Sequence, residues 1–257
     1  MSPKVSVVTV CYNSQDTIAQ TIESVLSQTC DEYEYIIIDG ASTDATRDII
    51  AKYNADGRIR LVSEPDNGLY DAMNKGHSLA EGEYIIYMNS GDTFADTDVL
   101  KDMIPYLDGH AELVYGNVIR IKEGGRILER YPGKHRPLIL LAQGKMMCHQ
   151  SIFTRCDIMK QYGFDMKYSI TADYDFLMRM VRDKRVLVYA DRTISVVDNV
   201  DGISSSITNM DAMRQQDDES FKESFPGLYR LTYPIKAVIR IVRRRQERRL
   251  QENQGES

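Results

Sequence analysis

Through the first hundred residues, short continuous apolar runs alternate with segments whose apolar residues recur every three or four positions. Val5 to Val10, reading VSVVTV, lacks the alternation of a half-exposed strand and predicts one buried on both faces. Thr17 to Gln28 sets Ile18, Ile22, Val25 and Leu26 on one stripe and predicts a helix. The same reading places strands at Tyr35 to Ile38, Ile59 to Val62 and Tyr84 to Met88, with helices at Asp44 to Tyr53 and Leu69 to Ala80. Buried strands separated by helices of about ten residues predict an α/β fold, a mostly parallel sheet flanked by helices. Ligands of such sheets gather at the carboxyl ends of the strands, so chemistry is sought just after each strand.

The second half is less regular. Leu113 to Ile121 and Arg126 to Tyr131 flank a turn at Lys122 to Gly125 and predict a hairpin. A strand at Ser151 to Thr154, a helix at Thr171 to Asp183, and strands at Val186 to Tyr189 and Thr193 to Val197 follow. Gly202 to Ser206 reads as a loop before a polar helix at Ile207 to Ser224. Beyond it, Pro234 opens a stretch with Ile235, Val238, Ile239 and Val242 at helical spacing and arginines around them, predicting a C-terminal amphipathic helix. The chain divides into a domain over 1–228 and a basic helix and tail over 229–257.

Composition sharpens this picture. The 257 residues are 42% hydrophobic and 27% charged, which fits a soluble globular protein able to bury a full core. Four cysteines without a CxxC pair indicate neither a zinc site nor a disulfide framework. The net charge of −6 hides an asymmetry: residues 229–257 hold eight Lys/Arg against three Asp/Glu, leaving 24 against 35 before them. An acidic body argues against a nucleic-acid partner, whose footprint is a basic face. The start has no secretory pattern, and no apolar run approaches the roughly 20 residues that cross a bilayer, so a cytoplasmic protein is expected. The basic tail predicts peripheral attachment to the anionic inner face of the cell membrane; the competing reading packs its apolar stripe on the domain.

Polar groups follow three of the strands. Asp39 stands at the tip of IIID, either bracing its loop or facing a ligand, and Asp44 is placed to cap the next helix. Asn89, Ser90, Gly91 and Asp92 follow YIIYM directly. One carboxylate in such a turn suits Mg²⁺ or Mn²⁺, which fill their other positions from phosphate and water, or else caps the next helix.

These segments, in this order, resemble the family 2 glycosyltransferases, inverting enzymes with the GT-A fold, of the bacterial surface-polysaccharide type. The resemblance runs from about Val5 to Val197 and rests on VSVVTVCYN, IIIDGASTDAT, DNGLYDAMNKG, YIIYMNSGDTF and TADYDF. It implies a Rossmann-like nucleotide-binding sheet with Thr9, Tyr12 and Asp39 around the base and ribose of a nucleotide-sugar, and Asn13, Asn67, Asn89, Ser90 and Gly91 beside them. It further implies Asp92 as the ligand of Mn²⁺ or Mg²⁺ and Asp173 as general base. His149 and Gln150 are expected in the acceptor or diphosphate site.

The sequence departs from the family pattern in three places. Asn89 and Gly91 stand in the metal motif where aspartates are frequent, Met73 replaces an arginine and leaves Lys75 as pyrophosphate partner, and Ala172 precedes Asp173, leaving Asp175 to substitute for a missing Glu. The chain has no Trp, so the Gln-x-x-Arg-Trp motif of processive synthases is absent and one sugar is added per binding event. The expected activity is transfer of a sugar from a UDP-sugar to a saccharide or lipid-linked saccharide. The competing readings are a sugar-phosphate nucleotidyltransferase, which would want a Gly-rich basic loop after the first strand, and a non-catalytic nucleotide-sugar or glycan-binding protein.

Overall fold

The computed structural model describes residues 2–122, 125–131, 147–198 and 207–231. Their sheet of nine strands comprises β1 (Val5–Cys11), β2 (Tyr33–Asp39), β3 (Ile59–Ser63), β4 (Tyr84–Tyr87), β5 (Thr93–Phe94), β6 (Leu113–Lys122), β7 (Gly125–Glu129), β8 (Ile152–Arg155) and β9 (Leu187–Asp198). Its order is β3-β2-β1-β4-β8-β6-β9-β5, with β7 paired to β6. The block β3-β2-β1-β4 is parallel, as the buried runs require. Beyond β4 the sheet is mixed: β8 runs antiparallel to both β4 and β6, β5 to β9 and β7 to β6, while β6 and β9 are parallel. The expectation of a mostly parallel sheet therefore holds for the first half, where helical crossovers join the strands, and gives way where hairpin-like returns replace them.

Helices cover both faces. Against one face lie α1 (Ile18–Leu26), α2 (Thr46–Tyr53) and α4 (Val99–Met103), burying Ile18, Ile22, Val25, Ile50, Val99 and Leu100 with Val5, Val7 and Ile37. Against the other lie α3 (Leu69–Leu79), α5 (Cys156–Tyr162), α6 (Ala172–Arg182) and α7 (Ile207–Ser224), burying Met73, Met159, Phe176 and Phe221 with Val8, Ile36 and Ile38. Each fully buried Val, Ile or Met contributes about 1.5–3 kcal/mol, so both faces are needed to hold the sheet. α3 lies close on β1: a Cβ on Gly76 would stand 2.5 Å from Val8 Cγ1, so only glycine fits there without displacing the helix.

The strands expected at Val186 to Tyr189 and Thr193 to Val197 are one, β9, whose register to β6 shifts between Tyr115 and Val118. Gly116 lies in that irregularity, and a Cβ on it would meet Arg192 O at 2.5 Å. The polar helix is found as expected at Ile207–Ser224. The pattern did not reveal α4, α5 or β5, all short. The four cysteines are free and buried. No helix among the described residues is long and apolar enough to cross a membrane. The amphipathic tail helix expected from Pro234 and the loop at Gly202 to Ser206 lie outside the described residues.

Candidate active site

Strand register builds the first part of the site. Pairing sets Cys11, Asp39 and Ser63 side by side at the carboxyl edge of β1, β2 and β3. The Asp39 carboxylate is fully buried, and burying a charge without partners would be prohibitive. It accepts hydrogen bonds from Ser42 N at 3.1 Å, from Ser63 Oγ at 2.6 Å and from Ser42 Oγ, with Cys11 Sγ at 3.8 Å. Burial first, and then the Asp39 charge, push the Cys11 thiol far up, so it stays neutral. Of the two readings open for Asp39, its side chain takes the bracing one and fixes the loop after β2. Asp44 likewise accepts from Thr46 N at 3.0 Å and Gln15 N at 3.1 Å at the start of α2.

Thr9 is corrected by the same geometry. Its hydroxyl is fully buried and pairs with Tyr35 OH at 3.0 Å, so the side chain is engaged within the domain rather than turned outward. Asn13 has a left-handed backbone (φ 47°), and its Oδ1 accepts from Thr43 N at 2.9 Å, tying the loops after β1 and β2 together. Tyr12 between them is 61% exposed. Beneath its ring lies Gly40, where a Cβ would meet Asp66 Oδ2 at 2.5 Å and Tyr12 Cδ2 at 3.3 Å. A flat shelf results, made of an exposed aromatic ring, a bare stretch of backbone and a carboxylate. Asp66 escaped the sequence reading although it begins the quoted DNG segment; only the fold brings it over Gly40.

Asn67 is turned back on its own helix, with its backbone N donating to Asp71 Oδ2 at 2.8 Å. The Lys75 ammonium lies on Pro65 O at 2.7 Å and Glu64 Oε1 at 3.0 Å, so it braces the 64–68 loop instead of reaching out as a pyrophosphate partner. The hydrogen bond to Glu64 raises its pKa.

The second part is the turn after β4. α1 clamps it: Thr21 Oγ1 accepts from Gly91 N at 2.9 Å and donates to Asp92 O at 2.8 Å, and Ser90 Oγ meets Thr17 Oγ1 at 2.9 Å. Gly91 has φ 99°, a conformation that favours glycine. Asp92 is buried, and its Oδ2 accepts from Gln150 Nε2 at 2.7 Å. Among the described residues no three His, Cys, Asp or Glu side chains cluster for an all-protein metal cage. A single carboxylate oriented by a second side chain fits Mg²⁺ or Mn²⁺, which draw most ligands from phosphate and water.

The third part joins the turn to α6. Asp173 stands in the first turn of α6 and is almost fully buried. Its Oδ1 accepts from Tyr70 OH at 2.8 Å and Tyr174 N at 3.0 Å, and its Oδ2 pairs with His149 Nδ1 at 2.9 Å. Burial alone would push the carboxyl up, but the His149 and Tyr70 interactions outweigh it and hold it below the usual carboxylate value. In the same pairing burial and the Asp173 charge push Tyr70 well up. A carboxylate only accepts, so the imidazole proton is on Nδ1, and Nε2 faces Asn89 Nδ2 at 3.0 Å. The chain Asp173–His149–Asn89 thus links the start of α6 to the turn after β4.

Asp175 does not join them. Its Oδ2 pairs with Arg179 Nε at 2.7 Å and its Oδ1 accepts from Ser220 Oγ at 2.7 Å, binding α6 to α7 within the core. It sits two positions from Asp173 and therefore points to another side of the helix, so it is a structural ion pair rather than a substrate contact. Gln216 of α7 adds to the brace, its Oε1 accepting from Ile170 N at 3.0 Å just before α6.

The sequence profile described as Glycosyl transferase family 2 matches residues 6–185. A PGL/p-HBAD biosynthesis glycosyltransferase of Mycobacterium tuberculosis is 29% identical over 249 residues, covering 95% of this chain and 91% of that protein. Among solved structures, S. aureus TarS 1-349 in complex with UDP-GlcNAc superposes with a TM-score of 0.70 at 19% identity over 85% of this chain and 66% of that one. The mannosyltransferase PcManGT from Pyrobaculum calidifontis, in complex with GDP-Man and Mn²⁺, does so with a TM-score of 0.62 at 16% identity over 90% and 65%. The chain therefore spans just under two thirds of each of these two solved chains.

Proposed function

The chain belongs to glycosyl transferase family 2 and is a glycosyltransferase, and from that premise we propose that it moves a single sugar, with inversion, from a UDP-sugar to a saccharide or lipid-linked saccharide in surface-polysaccharide synthesis. The observation that carries this reading is the set of polar groups gathered at the carboxyl edge of β1, β2 and β4, joined there by the turn before β8 and the start of α6. The Tyr12 shelf comes first, then the Asp92 turn, then the Asn89, His149 and Asp173 chain.

In this reading the nucleotide base lies on Tyr12 over Gly40, with Asp66 accepting from its imide N–H. Asp39 and Asn13 hold the two loops that form the shelf. Asp92, oriented by Gln150, would hold Mn²⁺ or Mg²⁺, which when bound would supply positive charge to offset the negative charge that the leaving diphosphate gains. Asp173, held ionised by His149 and Tyr70, serves as the general base that takes the acceptor hydroxyl proton. In the same reading the basic segment 229–257 brings the body to an anionic leaflet, and deletion of 233–257 is expected to abolish sedimentation with anionic liposomes.

The test is release of nucleoside diphosphate from UDP-glucose, UDP-galactose, UDP-GlcNAc and GDP-mannose, with and without Mn²⁺. Release from a UDP-sugar is expected, metal-stimulated, and lowered roughly 100-fold or more in Asp92→Asn. No release from any donor, or full activity in Asp92→Asn, overturns the reading.

A further inference from the structure

We propose that Gln216 of α7 is the positioning residue for the general base: its side-chain amide pins the peptide segment that leads into α6, and so sets where the Asp173 carboxylate stands. The inference rests on the glycosyl-transfer reading above and deepens it by naming what holds the base in place. Asp173 lies in the first turn of α6, so its carboxylate is placed by the residues just before the helix. Thr171, at the head of α6, is of a type that caps a helix with its own hydroxyl, yet it makes no such capping bond. The acceptor comes instead from 45 positions away: Gln216 Oε1 accepts from Ile170 N at 3.0 Å, from Thr171 N at 3.3 Å and from Thr171 Oγ1 at 3.5 Å. Gln216 Nε2 donates to Ser169 Oγ at 3.1 Å, which settles which end of the amide meets which partner.

The other side of the same segment is held by α3. Tyr70 OH stands 2.9 Å from Ile170 O and 2.8 Å from Asp173 Oδ1, so one hydroxyl ties the segment to the carboxylate. A slip of the 169–171 peptide therefore reaches Asp173 twice, through the start of the helix and through the tyrosine bound to it. The contacts of α7 with this region fall on one stripe, Gln216, Glu219, Ser220 and Glu223, at i, i+3, i+4 and i+7. Glu219 and Glu223 pair with Lys167 Nζ at 2.9 and 2.6 Å, Glu223 accepts from Tyr168 OH at 3.1 Å, and Ser220 Oγ donates to Asp175 Oδ1 at 2.7 Å. The stripe is polar where a packed helix ordinarily turns an apolar one inward, which is why α7 reads in the sequence as a polar helix. Phe221, fully buried, supplies an apolar anchor.

The members of this stripe do different work. The Lys167 pairs are nearly half exposed, so they contribute little. Ser220 answers Asp175, which joins α6 to α7 within the core. Gln216 is the member that meets the backbone ahead of the base. Hydrogen bonds to backbone N–H groups are directional and fix a position, where apolar packing between helices would permit sliding. Precision matters at this point, because displacing a reacting group by about 1 Å costs a rate on the order of 100-fold.

The experiment uses the full-length chain as wild type, as Gln216→Met, which keeps the side-chain length without the amide, and as Gln216→Glu, which keeps the acceptor. Nucleoside diphosphate released from the donors named above, with water serving as acceptor, gives kcat and donor KM. Residue-resolved hydrogen exchange reports on the Ile170 and Thr171 amides and needs no activity. In the wild type both amides are expected to exchange slowly although they precede the helix. Gln216→Met is expected to lower kcat roughly 10- to 100-fold with donor KM within about threefold, and to speed exchange of the two amides at least roughly tenfold while those of 177–182 stay protected. Gln216→Glu is expected to keep kcat within about threefold of the wild type. The proposal is overturned if Gln216→Met keeps more than about half of kcat, if Gln216→Glu loses roughly tenfold or more, or if both wild-type amides exchange freely. The last two readings hold even where Gln216→Met does not fold. A wild-type chain that releases nothing from any donor sinks the underlying reading instead, a result distinct from these.

Discussion

Two buried carboxylates at the strand ends are held in opposite ways. Asp39 takes its partners from its own surroundings: Ser42 three residues on, and Cys11 and Ser63 set beside it by register. Asp173 takes its side-chain partners from Tyr70, 103 positions away on α3, and from His149 in the turn before β8. The first arrangement closes on itself and shapes a loop; the second runs across elements and ends in an imidazole facing the turn after β4. Asp39 thus braces a loop, whereas Asp173 joins α3, α6 and the turn before β8, the arrangement on which its proposed part in proton transfer rests.

The sharpest break of this comparison lies within α6. Asp175 is two residues from Asp173 but is paired to Arg179 and Ser220 in the core. Asp175→Ala leaves Arg179 without its buried counter-ion and is expected to cost about 3 kcal/mol of stability in urea denaturation, with kcat per folded molecule little changed. A large fall in kcat without loss of stability would place Asp175 with Asp173 after all.

A smaller effect concerns a histidine outside this carboxylate pair. His77, near the end of α3, is buried against Tyr87 OH at 3.3 Å, and burial, then Lys160, lower its pKa from 6.5 to about 4. The unfolded chain then binds a proton that the folded one refuses, so stability is full above the unfolded pKa and declines as pH falls from there towards the folded one. Between about pH 7 and pH 5 His77 is expected to remove about 2 kcal/mol, and a His77→Gln chain is expected to lack that part of the decline. An unchanged decline in the variant would show that the burial of this ring is not what makes the fold sensitive to acid.

The parallel half was legible because its signals are local: continuous apolar runs such as VSVVTV, helical stripes such as Ile18, Ile22 and Val25, and turn residues at strand ends. The motif order likewise marked Asp92, His149 and Asp173. What remained hidden depends on long-range placement. The family resemblance implied Thr9 as a nucleotide contact, but its place within β1 turns the hydroxyl onto Tyr35. Lys75 looked free, yet helix α3 returns it to Glu64 and Pro65. Asp66 reached the shelf only because Gly40 lets it approach. The short elements α4, α5 and β5 carry too few residues for a period to emerge.

The division of labour between shelf and bridge is tested most directly by steady-state kinetics of Tyr12→Ala beside Asp173→Asn on the same donor. Tyr12→Ala is predicted to raise the donor KM roughly tenfold with kcat nearly kept, and Asp173→Asn to lower kcat at least roughly 100-fold with KM nearly kept. If both substitutions moved the same parameter, the separation of a donor shelf from a proton-transfer bridge would be contradicted.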